Sequence, residues 1–380
     1  MEFRSLKKQY QILKKEIDTA MGQVIEDANF ISGHQVNELE KELAEYLGVK
    51  HCISCANGTD ALSLALMVWG IKPGDAVFVP DFTFFSSGEV VSFEGGTPIF
   101  VDVEEDTYNL DAEKLESAIQ KVIKDGKYVP KVIIAVDLFG QPANYPLIRE
   151  IADRYGLWVL EDGAQGFGGM IDNKYSCTFG DISTTSFFPM KPLGCYGDGG
   201  AIFTDNEEWA ELMRSYKNHG KGSFKYDNVR IGMNSRLDTI QAAILRAKLK
   251  AFAECEVEAV NKVAKRYMEK LEGIVKIPVI REGFLSSWAQ FTIQLPTEEM
   301  RDELQKYLKT KEIPTMVYYP KPMHKQLAFA PYEENVAELS VTEKLSHTVL
   351  SLPIHPYMEA EETDLVAEEI RNFMENRIGD

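Results

Sequence analysis

The stretch Leu157-Trp158-Val159-Leu160-Glu161-Asp162-Gly163-Ala164-Gln165 sets an apolar run directly before two acids and a glycine. A strand buried in a sheet reads this way when its C-terminal end delivers a polar group to the sheet edge. Backwards from it, short apolar runs recur at Cys52–Cys55, Ala76–Pro80, Pro98–Val101 and Val132–Val136. Helical stretches lie between them, at Ala61–Trp69, Ser86–Phe93, Ala112–Val122 and Tyr145–Tyr155. This alternation predicts a largely parallel sheet covered by helices. Forwards, Ser183–Phe187 and Ala201–Thr204 read as two more strands, with connections short enough for part of the sheet to run antiparallel.

The flanks have a different texture. Leu6, Leu13, Ile17, Met21, Val24 and Ala28 recur at helical spacing, the mark of an amphipathic helix that packs on the body or on a partner chain. A second helix is expected over Val36–Leu47. Beyond Arg236 a long helical stretch runs from Leu237 to about Leu271 with a break in it. From about Val275 a smaller α+β region follows, with a strand at Trp288–Gln294 and helices at Glu298–Lys311 and Glu361–Met374. The expected fold class is therefore α/β, a large mixed and mostly parallel sheet with helices on both faces plus a smaller C-terminal α+β domain. The expected division is 1–250 and 251–380.

With 41 basic against 59 acidic residues in 380, the formal net charge is −18. That excludes a nucleic-acid partner, which needs a basic footprint. It does not exclude a small anionic ligand, which a few local cations and backbone amides can hold. The start, MEFRSLKKQY, lacks the apolar core of a signal peptide, and Ala61–Gly70 is too short to span a bilayer, so a cytoplasmic protein without a membrane partner is expected. Five cysteines in a long chain imply no disulfide framework. Cys52-x-x-Cys55 falls in a strand-like run, whereas a redox pair needs its first thiol at a helix N-terminus. His51, His219, His347 and His355 lack metal-ligand spacing, and no metal is expected.

Three motifs carry chemistry. In Asn57-Gly58-Thr59-Asp60 the glycine allows a close turn, Thr59 can cap the following helix, and the free amides of its first turn form an anion site. The same residues also suit an ordinary helix cap. Asp162, at a strand's C-terminal end, could hold a protonated pyridine nitrogen and keep the ring an electron sink; it also suits a solvated acid. In Ser186-Phe187-Phe188-Pro189-Met190-Lys191-Pro192-Leu193-Gly194, a hydroxyl stands five residues before a lysine set among apolar residues. Desolvation there lowers an amine's pKa and favours Schiff-base chemistry, although most lysines lie on the surface. The order of phosphate loop, strand-end acid and Ser-x4-Lys carries more weight than any one of them.

These residues resemble the DegT/DnrJ/EryC1/StrS family of sugar aminotransferases, a branch of fold-type I enzymes that use pyridoxal 5'-phosphate (PLP). The resemblance runs through Asn57–Leu62, Glu161–Gln165, Ser186–Ala201, NSRLDTIQAAIL (Asn234–Leu245) and SLPIHPY (Ser351–Tyr357). It implies that Gly58, Thr59 and Ser186 hold the cofactor's phosphate, Phe84 stacks on its ring, Asp162 pairs with the ring nitrogen and Gln165 contacts the ring hydroxyl side. Lys191 would form the Schiff base and shuttle the proton, with pyridoxamine phosphate as the intermediate form. Asn234 would reach the phosphate of a neighbouring subunit, so a homodimer with shared sites is implied. CISCANGTDAL and the stretch from Ser186 to Thr204 further resemble the subgroup that aminates UDP-2-acetamido-2-deoxy-3-oxo-glucuronate, implying a UDP-linked sugar acceptor for surface polysaccharide, with glutamate as donor by family habit. Arg236, Tyr318 and His324 are the candidates for the substrate's carboxylate or diphosphate, and for Arg236 a helix-end salt bridge is the plain alternative. Other dTDP- or UDP-linked 3- or 4-keto sugars stay open as acceptors. A dehydratase of the same family would carry histidine at the Lys191 position. A non-catalytic regulator would lack at least one of Asp162, Ser186 and Lys191. Two departures lie beside the site: Gly163, where many relatives have alanine, and Met190 before the lysine.

Overall fold

β-Branched and aromatic residues fill short segments whose alternate side chains pack to opposite faces. A computed structural model of the chain describes residues 1–224, 226–335 and 338–378. Its strands, in chain order, are β1 (His51–Cys55), β2 (Asp75–Pro80), β3 (Thr97–Val101), β4 (Val129–Val136), β5 (Trp158–Asp162), β6 (Met170–Ile171), β7 (Lys174–Tyr175), β8 (Ile182–Ser186), β9 (Gly200–Thr204), β10 (Phe284–Leu285), β11 (Phe291–Gln294) and β12 (Val349–Leu352). Seven form one sheet in the order β1-β9-β8-β5-β4-β2-β3. Neighbours from β8 to β3 run parallel, and β9 pairs antiparallel with both β1 and β8. The mixed, mostly parallel α/β sheet is as the pattern predicts, including its antiparallel part.

Alternation along the strands builds two cores. Val77, Val79, Val132 and Ile134 pack with Leu62, Leu66 and Val90 from the helices Gly58–Val68 and Ser86–Phe93. Ala76, Phe78, Ile133 and Ala135 pack with Leu115, Ile119 and Ile148 from Ala112–Asp125 and Tyr145–Tyr155. A third cluster joins Leu39 and Leu43 of His34–Leu47 and Leu245 of Thr239–Ala251 to Phe203 of β9. The first expected helix is two, Leu6–Ile12 and Lys14–Asp27, interrupted at Leu13; Ile17 and Val24 of the second are buried. The break in the long helix is a π-turn at Phe252–Glu256, after which Val257–Leu271 continues. A separate core combines Val260 and Tyr267 of that helix with Phe291, Leu304, Leu350 and Ile370, around the antiparallel pair β11–β12 and the helices Glu298–Thr310 and Ala360–Ile378. Among the described residues no helix is long and apolar enough to cross a membrane.

Candidate functional site

The C-terminal ends of β5 and β8 and the turn after β1 converge on a cavity of about 650 Å³ lined by Gly58, Thr59, Phe84, Asp162, Ser186 and Lys191, among others. Parallel strands end on one edge of a sheet, and polar residues at those ends gather around a ligand there.

The turn after β1 is built by Asn57. Its side-chain oxygen accepts the Asp60 amide at 2.8 Å and caps the helix that begins at Gly58. Asn57 is thus the cap, and the expectation for Thr59 is corrected: Thr59 lies inside the first turn, where its amide has no intrahelical partner. A Cβ built on Gly58 would meet Ser186 Cβ at 2.8 Å, so only glycine lets the helix N-terminus come this close to the end of β8. Amides and the Ser186 hydroxyl therefore face one spot, with the positive end of the helix dipole behind them.

Asp162 is buried at the end of β5. One carboxylate oxygen accepts the Ser87 hydroxyl at 2.8 Å and the other accepts the Ala164 amide at 3.2 Å. Burial raises its pKa; the Ser87 bond, the Lys191 charge and the Ala164 amide oppose this. A buried acid so placed is ready for a cationic N–H. Lys191 donates its backbone N–H to Phe188 O at 2.8 Å. Burial lowers the pKa of its amine, Asp162 raises it and Arg4 lowers it further. A less basic amine is the reactive form for imine chemistry. Phe84 lines the cavity with a half-exposed ring (53% accessible), and its centroid lies 6.3 Å from that of Tyr319.

The family profile of the DegT/DnrJ/EryC1/StrS aminotransferases matches residues 11–371. The chain belongs to that family. It is 42% identical over 373 residues to the UDP-2-acetamido-2-deoxy-3-oxo-D-glucuronate aminotransferase of Pseudomonas aeruginosa, covering 98% of this chain and 100% of that one. A crystal structure of a family member from Brucella abortus superposes with a TM-score of 0.96 at 48% identity, covering 98% and 99% of the two chains. A Bacillus subtilis structure with bound pyridoxamine phosphate (PMP) superposes at 0.88 and 31% identity, covering 98% and 83%. This family member is a PLP-dependent sugar aminotransferase. Its own residues fit the cofactor: a glycine-lined helix N-terminus for the phosphate, a buried carboxylate for the ring nitrogen and a desolvated amine for the aldehyde carbon.

Not every candidate reaches this cavity. Tyr318 lines it. Gln165 lines it too, but its amide oxygen accepts the Phe139 N–H at 2.8 Å and its nitrogen donates to Tyr319 Oη at 3.1 Å, so both ends are engaged. His324 lies outside the lining of this cavity: its Nδ1 is 2.6 Å from Asp81 and its Nε2 3.4 Å from Glu343. The buried Asp81 carboxylate at the end of β2 fixes the ring, so in this family member His324 pins the 323–325 turn to the sheet. Asn234 is exposed and Arg236 lines a different cleft, of about 960 Å³, beside the segment 218–232. Among the described residues no ion pair of Arg236 is found within the chain. Sequence reading missed Ser87, which has no motif and reaches Asp162 only through the fold. It also missed Tyr319 and Gln290; Gln290 lines the cavity with a buried side-chain oxygen that has no partner. Cys52 and Cys55 are buried in β1 with pKa values raised by burial, Cys55 to about 12, and so lack thiolate character.

Proposed function

We propose that the chain transfers the amino group of glutamate to UDP-2-acetamido-2-deoxy-3-oxo-glucuronate, giving the 3-amino sugar, and works as a homodimer with shared sites. The observation that carries the chemistry is Asp162 and Lys191 facing one cavity with the Gly58 helix N-terminus. The acceptor rests on the likeness to the Pseudomonas enzyme over the whole chain.

In this reading the amides of Gly58 and Thr59 and the Ser186 hydroxyl hold the cofactor's phosphate. Asp162, held by Ser87 and Ala164, keeps a proton on the ring nitrogen. Phe84 covers one ring face and excludes water. Bound PLP supplies the electron sink that makes the donor's Cα–H acidic. Lys191 Nζ, once free, would take the proton from the donor's Cα as general base and deliver it to the cofactor's C4′ carbon, across the intervening nitrogen. Burial suits it to this, because only the neutral amine accepts a proton.

Charge supports the homodimer. The cavity carries Asp60, Asp162 and Asp198 against Lys191 alone, yet the proposed ligands are phosphates and carboxylates. The cleft lined by Lys221, Arg230 and Arg236 is the complement, with no carboxylate among its described lining residues. Phe224 and Ile231 of the segment 218–232 are exposed, as are Phe30 and Ile31 next to Ser32 of the cleft, apolar side chains suited to a second copy. Asn234 and Arg236 would then serve the partner's cavity.

The test is a coupled assay with the 3-keto uronate, glutamate and PLP, read as 2-oxoglutarate and 3-amino sugar. Amination of a 4-keto sugar instead would overturn the acceptor and spare the family. Borohydride reduction followed by peptide mapping tests the lysine; a label elsewhere than Lys191 would sink the chemistry.

A further inference from the structure

The loop after Lys191 is gripped by two cations from opposite parts of the chain. Arg4 donates Nη2–H to Pro192 O at 3.3 Å. Lys248, buried in the helix Thr239–Ala251, donates Nζ–H to Gly194 O at 2.7 Å and lies 4.4 Å from the Tyr196 ring centroid. The carbonyls one and three residues past the reactive lysine thus each accept from a basic side chain, and bonds from a charged donor exceed neutral ones.

Arg4 is held firmly. Phe3, beside it, sets its ring edge-on to Tyr318, centroids 6.3 Å apart, and its carbonyl accepts the Ile354 amide at 3.2 Å. Tyr318 lines the Lys191 cavity. Behind the guanidinium, Glu256 takes the Gln9 amide at 3.0 Å and the Tyr357 hydroxyl. Arg4 Nη1 is buried with no partner, as is Nδ1 of His355 nearby in charge terms. A buried guanidinium N–H without a partner is unfavourable to folding, so the placement of Arg4 is not explained by stability.

We propose that Arg4 is a positioning residue for Lys191: it fixes the lysine loop through Pro192 and places a positive charge beside the reactive amine. Burial lowers the pKa of the guanidinium, Glu256 and Tyr357 favour its charge, and Arg4 in turn lowers the pKa of Lys248 and His355. At Lys191 it acts against Asp162. Burial does most to lower the basicity of the amine, and the carboxylate needed for the ring nitrogen works against it. Arg4 offsets part of that opposing pull. The inference rests on Lys191 being the cofactor lysine, which borohydride mapping tests separately.

The experiment compares wild type with Arg4→Gln, which keeps a donor for Pro192 O and loses the charge, and Arg4→Lys, which keeps both. The readout is the pH dependence of Lys191 acylation in the cofactor-free enzyme, followed by peptide mass mapping. The pH dependence of the cofactor's absorbance in the loaded enzyme is a second readout. Arg4→Gln is expected to raise the midpoint by about 1 pH unit, the size of a single neighbouring-charge effect, and Arg4→Lys to restore it. Lys248→Met, which loosens the same loop from Gly194, is expected to lower turnover and leave the midpoint in place. An unchanged or lowered midpoint in Arg4→Gln overturns the proposal. So does an equal shift in Lys248→Met, which would show that the effect is not particular to Arg4.

Discussion

Asp162 shows how one residue's role depends on partners that are remote in sequence. Its carboxylate must be ionised to hold a protonated ring nitrogen, yet its burial favours the neutral acid. Ser87 counters this by donating to Oδ2 at 2.8 Å, with Thr83 Oγ1 3.2 Å behind it. Removing that donor stabilises the neutral form relative to the anion, so the acid's pKa rises. Ser87→Ala is therefore expected to move the acidic limb of the kcat/KM–pH profile to higher pH, by roughly 1 unit, the scale of one hydrogen bond to a charged group at about 1.5–3 kcal/mol discounted for cofactor binding. A profile unchanged in its acidic limb would show that Ser87 does not set the charge of Asp162. Asp162 itself was legible, because a polar residue ending an apolar run marks a sheet edge. Ser87 was not, because a serine in a helix has no local signal and its bond spans 75 residues. The partner of His324 was equally hidden, because the group that engages it, Asp81, is 243 residues away in sequence.

Among the elements, the strands and helices of the large sheet follow the apolar pattern to within a few residues, since each is specified by its own periodicity. The order β1-β9-β8-β5-β4-β2-β3 is not so specified, because it depends on which strand ends meet far along the chain. The turn between β5 and β8 illustrates the cost. Gly163 stands out in sequence only as a departure from relatives. In the structure a Cβ there would meet Cys177 Sγ at 2.5 Å and Thr184 O at 3.0 Å. The thiol fills the space an alanine methyl would take. Gly163→Ala is expected to destabilise the fold by about 1–3 kcal/mol through overpacking. Cys177→Ala in the same chain should recover more than half of that loss, because the two sites share one space and their effects do not add. Urea unfolding of the single and double variants measures it; strictly additive losses would show that the backbone contact with Thr184, and not the thiol, decides.

For the whole molecule, the distribution of charge is more informative than its sum. The net charge of −18 argued against nucleic acid, and the cavity itself is acidic in one chain. A phosphate- and carboxylate-bearing substrate then needs cations that the chain's own cavity walls lack, and Lys221, Arg230 and Arg236 are gathered in the separate cleft. If that cleft, an arm carrying Arg236, completes the partner's cavity, an arm variant and a lysine variant each fail alone but complement when mixed. Lys191→Ala keeps a good arm and has no reactive amine; Arg236→Ala has the amine and a defective arm. After unfolding and refolding together, half the dimers pair the two chains, and each such dimer holds one site with both parts intact. Activity with the keto sugar should then reach about a quarter of wild type, the statistical value for a two-fold dimer with shared sites. Glutamate-driven amino loading of the cofactor, which needs Lys191, should report the same fraction only if the arm also serves the donor. If the mixture shows no more activity than the sum of its parts, each cavity is complete within one chain and the basic cleft serves some other anion.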